Sequence, residues 1–362
     1  MLKLTQFPES VVATDFLRNT LNAATIPAVD ALLAQLPVTD VNSYHYDDEK
    51  PEKGWIEGNF HWIPVGRDRG NAGRIKLAGK PVYPLAERLV NGMEALIELK
   101  RLRELAGDEH AAPPLSPREA VKRYFGLPPL DQVPKLKENA EGKAIYKSAL
   151  ELSRQLLLTV NFDKKRKEFA VSIRDHGMGQ TAIKMHRTLL SLGTSDKGDK
   201  PYLIGVFGQG GSSTYAASKC SWIVTRRAPD LRGAGEADSV GWSIVRHILP
   251  KGNRASYFAY LAAHPDGRVP SLPAAAADSV EFKHGSQFCH VGYDFGPFAS
   301  AITRSMFPAL NHVLYNPVMP FFTNVAGTEA PVWGHGYRLS RKKLADPEIL
   351  DKTFDPRPIE IA

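Results

Sequence analysis

The sequence has little cysteine and no long apolar run. Only two of its 362 residues are cysteines, Cys220 and Cys289, and both lie in apolar, strand-like stretches. Two such cysteines indicate buried free thiols in a reducing compartment rather than a disulfide framework. No stretch approaches the roughly 18 apolar residues of a membrane span, and MLKLTQFPES lacks the apolar core of a secretory signal. We therefore expect a soluble cytoplasmic protein.

The composition is that of an ordinary globular chain with a basic balance. Hydrophobic residues make up 43% and charged residues 23%, which suits one large domain or two medium ones. The formal net charge of +7 permits binding of nucleic acid or anionic ligands without requiring it. The sequence contains no internal repeats.

Periodicity predicts helices and strands in alternation. The clearest helix is PLAERLVNGMEALIELKRLREL, whose leucines and methionine recur at helical spacing after Pro84. TVNFDKKRKEFAVSIRD predicts a β-hairpin with its turn at DKKRK, and QTAIKMHRTLLSLG predicts a further helix. Several strands are expected between Lys219 and Gly296, and another helix in FASAITRSMFPALNHVLY.

Three polar residues of the helix PLAERLVNGMEALIELKRLREL share a face opposite its apolar stripe. They are Glu87, Asn91 and Glu94, which succeed one another at helical spacing. This face is either a solvated helix surface or a carboxylate and an amide directed into a site. In a site, the amide oxygen suits Mg²⁺ and the carboxylate can polarise a water molecule.

The stretch SIRDHGMGQT places Asp175 at the end of an apolar strand, with Gly177 and Gly179 close behind it. A turn alone needs one glycine at most. Two glycines beside a carboxylate indicate that something flat or bulky approaches the backbone. The alternative is a strand-end turn in which Asp175 caps the next few residues.

The loop GVFGQGGSS contains four glycines before TYAAS, a predicted helix. Glycines at a helix start allow phosphates to approach backbone N–H groups, although a plain loop is the alternative. No Lys-Ser or Lys-Thr pair comes after these glycines, so the loop is not a Walker A motif.

The order of these motifs resembles that of the GHKL (Bergerat-fold) ATPases. This superfamily includes the heat-shock chaperone ATPase, DNA gyrase B, MutL, MORC proteins and sensor histidine kinases. ERLVNGMEAL resembles its first motif, IRDHGMG its second and LIGVFGQGGSS its third, while HGSQFCHVGYDF resembles the late strand that closes the nucleotide pocket. The resemblance covers roughly residues 55–300.

The resemblance implies an α+β fold with a mixed sheet, helices on one face, and a site for ATP and Mg²⁺. Asp175 would accept a hydrogen bond from the adenine amino group, Glu87 would be the general base, and Asn91 would ligate the metal. Glu94 stands where the family usually has aspartate, so its role is open. The other nucleotide-binding residues that the resemblance implies are Gly177, Met178, Gly179, Thr194, Ser195, Lys197, Gly205, Gly208, Gln209, Gly210, Gly211 and Ser286. Residues 194–203 would form a lid.

We expect three regions in the chain. Residues 1–54 would be a helical extension, residues 55–298 the ATP-binding domain with an insertion at about 106–149, and residues 299–362 a segment leading to a further domain. The expected function is an ATP-hydrolysing switch that dimerises or engages a partner protein or nucleic acid, in DNA processing or phage defence. The alternative is a nucleotide-binding interaction module with negligible hydrolysis.

Overall fold

The computed structural model describes residues 2–136, 139–192, 199–204, 210–252 and 254–345. The strands are β1 (His61–Pro64), β2 (Leu156–Asp163), β3 (Glu168–Asp175), β4 (Cys220–Arg226), β5 (Ser239–Ile248), β6 (Tyr257–Ala262), β7 (Ser271–Pro273), β8 (Gly285–Val291), β9 (Phe321–Val325) and β10 (Thr328–Val332). The helices are α1 (Ala13–Leu21), α2 (Ile26–Leu33), α3 (Val82–Gly107), α4 (Pro117–Phe125), α5 (Val133–Leu136), α6 (Ala140–Ser153), α7 (Ser213–Ala216), α8 (Ala274–Ser279), α9 (Ile302–Val313) and α10 (His335–Ala345).

The strands β1 to β10 belong to one mixed sheet. Its order is β1-β6-β5-β4-β8-β3-β2-β9-β10, and the short β7 pairs with β5. These neighbours are antiparallel, apart from β2 and β9, which are parallel. The predicted α+β class with a mixed sheet is therefore confirmed. The β2–β3 hairpin forms as expected, and its register places Leu156 opposite Asp175.

The long helix α3 packs against β2 and β3 on one face of the sheet. Its apolar stripe, which includes Leu85, Leu89 and Met93, packs in one buried cluster with Val171 and Ile173 of β3. The apolar stripe favours a helix because, in that conformation, all of its residues lie on one face and can be buried against the sheet.

The amino-terminal helices pack against a separate apolar cluster, which the prediction of helices on one face did not include. Phe16 of α1 packs in this cluster with Trp222 and Trp242. The indole N–H of Trp222 donates to the Ala23 carbonyl at 2.7 Å, and that of Trp242 donates to Thr20 Oγ1 at 3.1 Å. Both buried indoles are satisfied, so this layer is an integral part of the core.

The predicted helix over 180–193 is wrong. Within the described part of that stretch, only a short 3₁₀ turn forms, at Met185–Arg187. Met185 and Leu190 are buried in a cluster with strand residues, and Thr188 Oγ1 donates back to the Lys184 carbonyl at 3.1 Å. Packing of these apolar residues against the strands overrides the helical pattern. The helix predicted at TYAAS is likewise reduced to the four residues of α7.

The described part of the segment after Ala299, residues 300–345, joins the same sheet. Helix α9 packs with α3 through Met306 and Leu310, and β9 lies beside β2. That this segment leads to a further domain stays a prediction.

Two smaller expectations concern thiols and membranes. Cys220 and Cys289 are buried and free, as predicted. Among the helices in the described ranges, none has the length and apolar character needed to cross a bilayer.

Candidate functional site

A cavity of about 950 Å³ lies between α3 and the sheet. Its walls come from α3, the end of β3, the first half of β8, the turn after β3, residues at the start of α7, parts of 184–191, and Lys200 and Leu203. The size is within the usual range for ligand sites. The predicted site residues that line this cavity are Asn91, Glu94, Asp175, Met178, Gly179, Gly211 and Ser286.

Other predicted residues lie elsewhere. Glu87 is exposed on α3, one turn before Asn91, and is not part of the cavity lining. Gly177 is buried behind the wall, and Gly210 begins the 3₁₀ turn that precedes α7. The remaining predicted residues lie outside the described ranges: Thr194, Ser195, Lys197, Gly205, Gly208 and Gln209. The first part of the predicted lid falls there as well.

Asp175 is a buried carboxylate on the cavity wall, with 5% of its surface exposed. Its Oδ1 accepts from the backbone N–H of Gly177 at 2.9 Å and from that of Ser286 at 3.3 Å. Burial raises the pKa of Asp175 to about 6, although Arg174 and these hydrogen bonds oppose the rise. At neutral pH the group is therefore mainly ionised and acts as an acceptor.

A hydroxyl network supports the wall beside Asp175. Ser286 lies opposite Asp175 in the β3–β8 register, and its hydroxyl is 2.9 Å from Thr225 Oγ1. The same Thr225 oxygen accepts from the backbone N–H of Gln180 at 2.9 Å. Three neighbouring strands and the turn after β3 are thus joined at one point, so the carboxylate is held by a rigid frame.

The two glycines after Asp175 are required by the protein itself. A Cβ at Gly177 would lie 2.5 Å from the Ala95 Cβ of α3, and one at Gly179 would lie 1.8 Å from the Arg226 carbonyl oxygen. Gly179 also has φ near +60°. The close neighbour that these two glycines predicted is therefore, at least in part, the protein's own backbone. Gly177 does not line the cavity. Gly179 and Met178 do line it.

Two carboxylates of α3 hold the segment 199–204 against the cavity. Glu94 is 3% exposed, and its Oε1 accepts from the Ile204 N–H at 2.7 Å. One turn later, Glu98 Oε1 accepts from the Tyr202 hydroxyl at 3.3 Å and pairs with Lys200 at 3.0 Å. Glu98 was not predicted, although its helical spacing from Glu94 is a usable signal.

Arg88 is a further cavity residue that the sequence patterns did not single out. Its guanidinium stacks on Phe288, at 4.1 Å from the ring centroid, and lies 5.2 Å from that of Tyr215. Its position three residues before Asn91 could have indicated the same helix face.

Two imidazoles, one just before β8 and one within it, have structural partners. His284 Nδ1 is 2.8 Å from the Gly177 carbonyl oxygen, and His290 Nδ1 is 2.7 Å from Ser221 Oγ. Burial lowers the pKa of both. Within the described ranges, no cluster of three His, Cys, Asp or Glu side chains is arranged to hold a metal.

No protein-family model matches this chain, and no curated protein is significantly similar to it. The cavity's own chemistry is therefore the basis for a functional conclusion. It combines an ionised acceptor, an amide on a helix, and several cationic side chains around one opening, among them Arg88, Lys184 and Arg227.

Proposed function

We propose that this cavity binds an adenine nucleotide and that the chain is a GHKL-type ATPase. The observation that carries the proposal is the buried, hydrogen-bonded carboxylate of Asp175 on the cavity wall. When a ligand displaces water from a buried carboxylate, the ligand must donate a hydrogen bond in place of that water. A fixed acceptor such as Asp175 can therefore recognise an amino group such as that of adenine. Met178 and Gly179 would contact the base from the adjoining turn.

The amide of Asn91 fits a role at the phosphates. Asn91 lines the same cavity as Asp175, on the helix that faces it. Mg²⁺ is usually held by few protein oxygens, with phosphate oxygens and water completing its shell. A single amide oxygen is compatible with that pattern. Bound there with the nucleotide, Mg²⁺ would neutralise phosphate charge, and Asn91 would be its protein ligand.

Hydrolysis is proposed to depend on Glu87. Its side chain emerges one turn before Asn91 and is accessible to water. As general base, Glu87 would take a proton from the water that attacks the terminal phosphate. The residues after β3 and those of 199–204 would limit the entry of other water.

The second candidate is a nucleotide-binding interaction module with negligible hydrolysis. One observation favours it: Glu87 is exposed and does not line the cavity. For either candidate we propose a cytoplasmic protein that dimerises or engages a partner protein or nucleic acid, in DNA processing or phage defence. The net charge of +7 supports a nucleic-acid-linked partner.

Calorimetric titration with ATP and Mg²⁺ tests the proposal. The wild type should bind, and Asp175→Asn should weaken binding about ten- to a hundredfold, because an acceptor is partly replaced by a donor. Asp163→Asn, at the far end of the same hairpin, is the matched control and should bind normally. Unchanged affinity in folded Asp175→Asn would remove Asp175 from the site.

A further inference from the structure

Arg88 is a buried cation on the cavity side of α3, where 7% of the residue is exposed. Among the residues that the structure describes, it forms no ion pair, and its polar contacts are two long bonds of 3.4 Å to Thr214 Oγ1. The guanidinium otherwise stacks on Phe288 and Tyr215. Burying a charge in this way is costly unless a counter-charge is supplied.

A second arginine on the same helix provides the comparison. Arg101 is 6% exposed, close to the value for Arg88. It forms an ion pair with Glu104 at 2.6 Å and donates to the Ala111 carbonyl at 2.6 Å. Arg101 does not line the cavity. The helix therefore carries one buried arginine that a neighbouring carboxylate neutralises and one, Arg88, that faces a cavity and has no counter-charge in the described part of the chain.

A second donor lies beside Arg88. The Tyr215 hydroxyl is buried and has no hydrogen-bond partner within the described ranges, and Tyr215 also lines the cavity. Gly211 completes this corner, since a Cβ there would lie 3.0 Å from Arg88 Nη1. Two donor groups thus converge at one place, and the absence of a side chain at Gly211 leaves room for the guanidinium. Such a corner is complementary to an anion with several oxygens.

Strand β8 connects this corner to Asp175. The Ser286 N–H donates to Asp175, and Phe288, two residues further on and on the same face, stacks on Arg88. Two strand residues span about 7 Å, so a ligand of nucleotide size can contact both places.

We propose that Arg88 and Tyr215 form an anion subsite for the phosphate chain of the bound nucleotide. This inference rests on the proposed function. The guanidinium supplies a planar pair of N–H donors that matches phosphate oxygens, and the Tyr215 hydroxyl donates beside it. Phosphate binding would provide the counter-charge for Arg88. Arg88 would therefore set the preference of the cavity for nucleotides over nucleosides.

The test compares neutral variants with wild type, using sodium tripolyphosphate, ATP and adenosine as separate probes in calorimetry and thermal unfolding. Arg88→Met keeps the apolar stem between the rings, and Arg88→Gln is a second neutral variant. Both should lose about ten- to a hundredfold in affinity for ATP and tripolyphosphate and keep the affinity for adenosine. Without ligand, Arg88→Met should unfold at a temperature no lower than wild type, because an uncompensated charge is removed. Arg101→Met, the matched control, should lower that temperature and leave the ATP-to-adenosine affinity ratio unchanged.

Tyr215→Phe provides a second line of test, since the hydroxyl it removes bonds to nothing in the described part of the fold. Tripolyphosphate affinity should fall about two- to tenfold. Wild-type affinity for ATP and tripolyphosphate in Tyr215→Phe and in a folded Arg88 variant would overturn the subsite. If Asp175→Asn still lost ATP binding, the proposed function would survive that result. Conversely, tripolyphosphate binding that depends on Arg88 in a chain that binds no ATP would keep the subsite and reject the adenine site.

Discussion

The backbone N–H of Ile204 donates to Glu94 Oε1 at 2.7 Å, across 110 residues of sequence. With the neighbouring pair of Lys200 and Glu98, this bond holds residues 199–204 to α3 at the cavity edge. The carboxylate face of α3 therefore has a structural role as well as lining the cavity. Substitution of either carboxylate should therefore first loosen the contact of residues 199–204 with α3.

Glu94→Ala should release the segment 199–204 locally. Loss of a charge-assisted bond costs about 1–3 kcal/mol of local stability, so amide exchange there should accelerate about ten- to a hundredfold. Hydrogen-exchange mass spectrometry on the nucleotide-free protein measures this. Glu104→Ala, on the same helix but bonded to Arg101 and Tyr124, is the control and should leave the segment's exchange unchanged. An unaltered rate in Glu94→Ala would show that other contacts hold the segment.

Asp175→Asn should change the pH dependence of stability. Because burial raises the folded pKa of Asp175 from 3.8 to about 6, the stability linked to its protonated form is present below pH 4 and lost as the pH rises through 6. That loss is about 3 kcal/mol. The asparagine variant avoids it, so it should be more stable than wild type at pH 7 and converge with it near pH 4. Urea unfolding from pH 4 to 8 measures the free energy of unfolding of both proteins. If the two free energies differed by the same amount at every pH, the prediction would be wrong.

Glu87→Ala should separate binding from turnover. The side chain is exposed, so stability should change by less than about 0.5 kcal/mol and ATP affinity should persist. Phosphate release should fall by about 10²–10⁴-fold if Glu87 is the general base. Glu109→Ala, also exposed, is the control. Wild-type turnover in Glu87→Ala would exclude this base, whereas negligible turnover in the wild type would favour the interaction module.

Gly177→Ala should destabilise the protein even without nucleotide. The new methyl group would overlap Ala95 of α3, and such overpacking costs about 1–3 kcal/mol. Chemical denaturation of the ligand-free protein provides the measurement. Gly79→Ala is the control, because a Cβ there meets nothing within 4 Å. If Gly177→Ala kept normal stability and lost only nucleotide affinity, the packing role would be wrong and Gly177 would instead contact the base.

Local patterns predicted part of this molecule well. The stripe through Leu85 and Leu89 predicted α3, because a helix that buries one face must repeat at its own period. Alternation around a charged turn predicted the β2–β3 hairpin. The same reasoning failed at 180–193, where an apparently helical pattern reflects burial of Met185 and Leu190 from a stretch that forms a short 3₁₀ turn and no α-helix in its described part. Periodicity therefore indicates which residues become buried, but it does not determine the backbone conformation in which they are buried.

The sequence by itself determined the strand-end position of Asp175 and the shared helix face of Asn91 and Glu94, because both arise from spacing along one element. Only the tertiary structure decided what those groups meet. The Ser286 N–H reaches Asp175 through the register of β8 against β3, and Ile204 reaches Glu94 from a distant segment. The stacking of Arg88 on Phe288 has the same origin. Sheet register and helix docking set such pairings, and neither leaves a local signal in the chain.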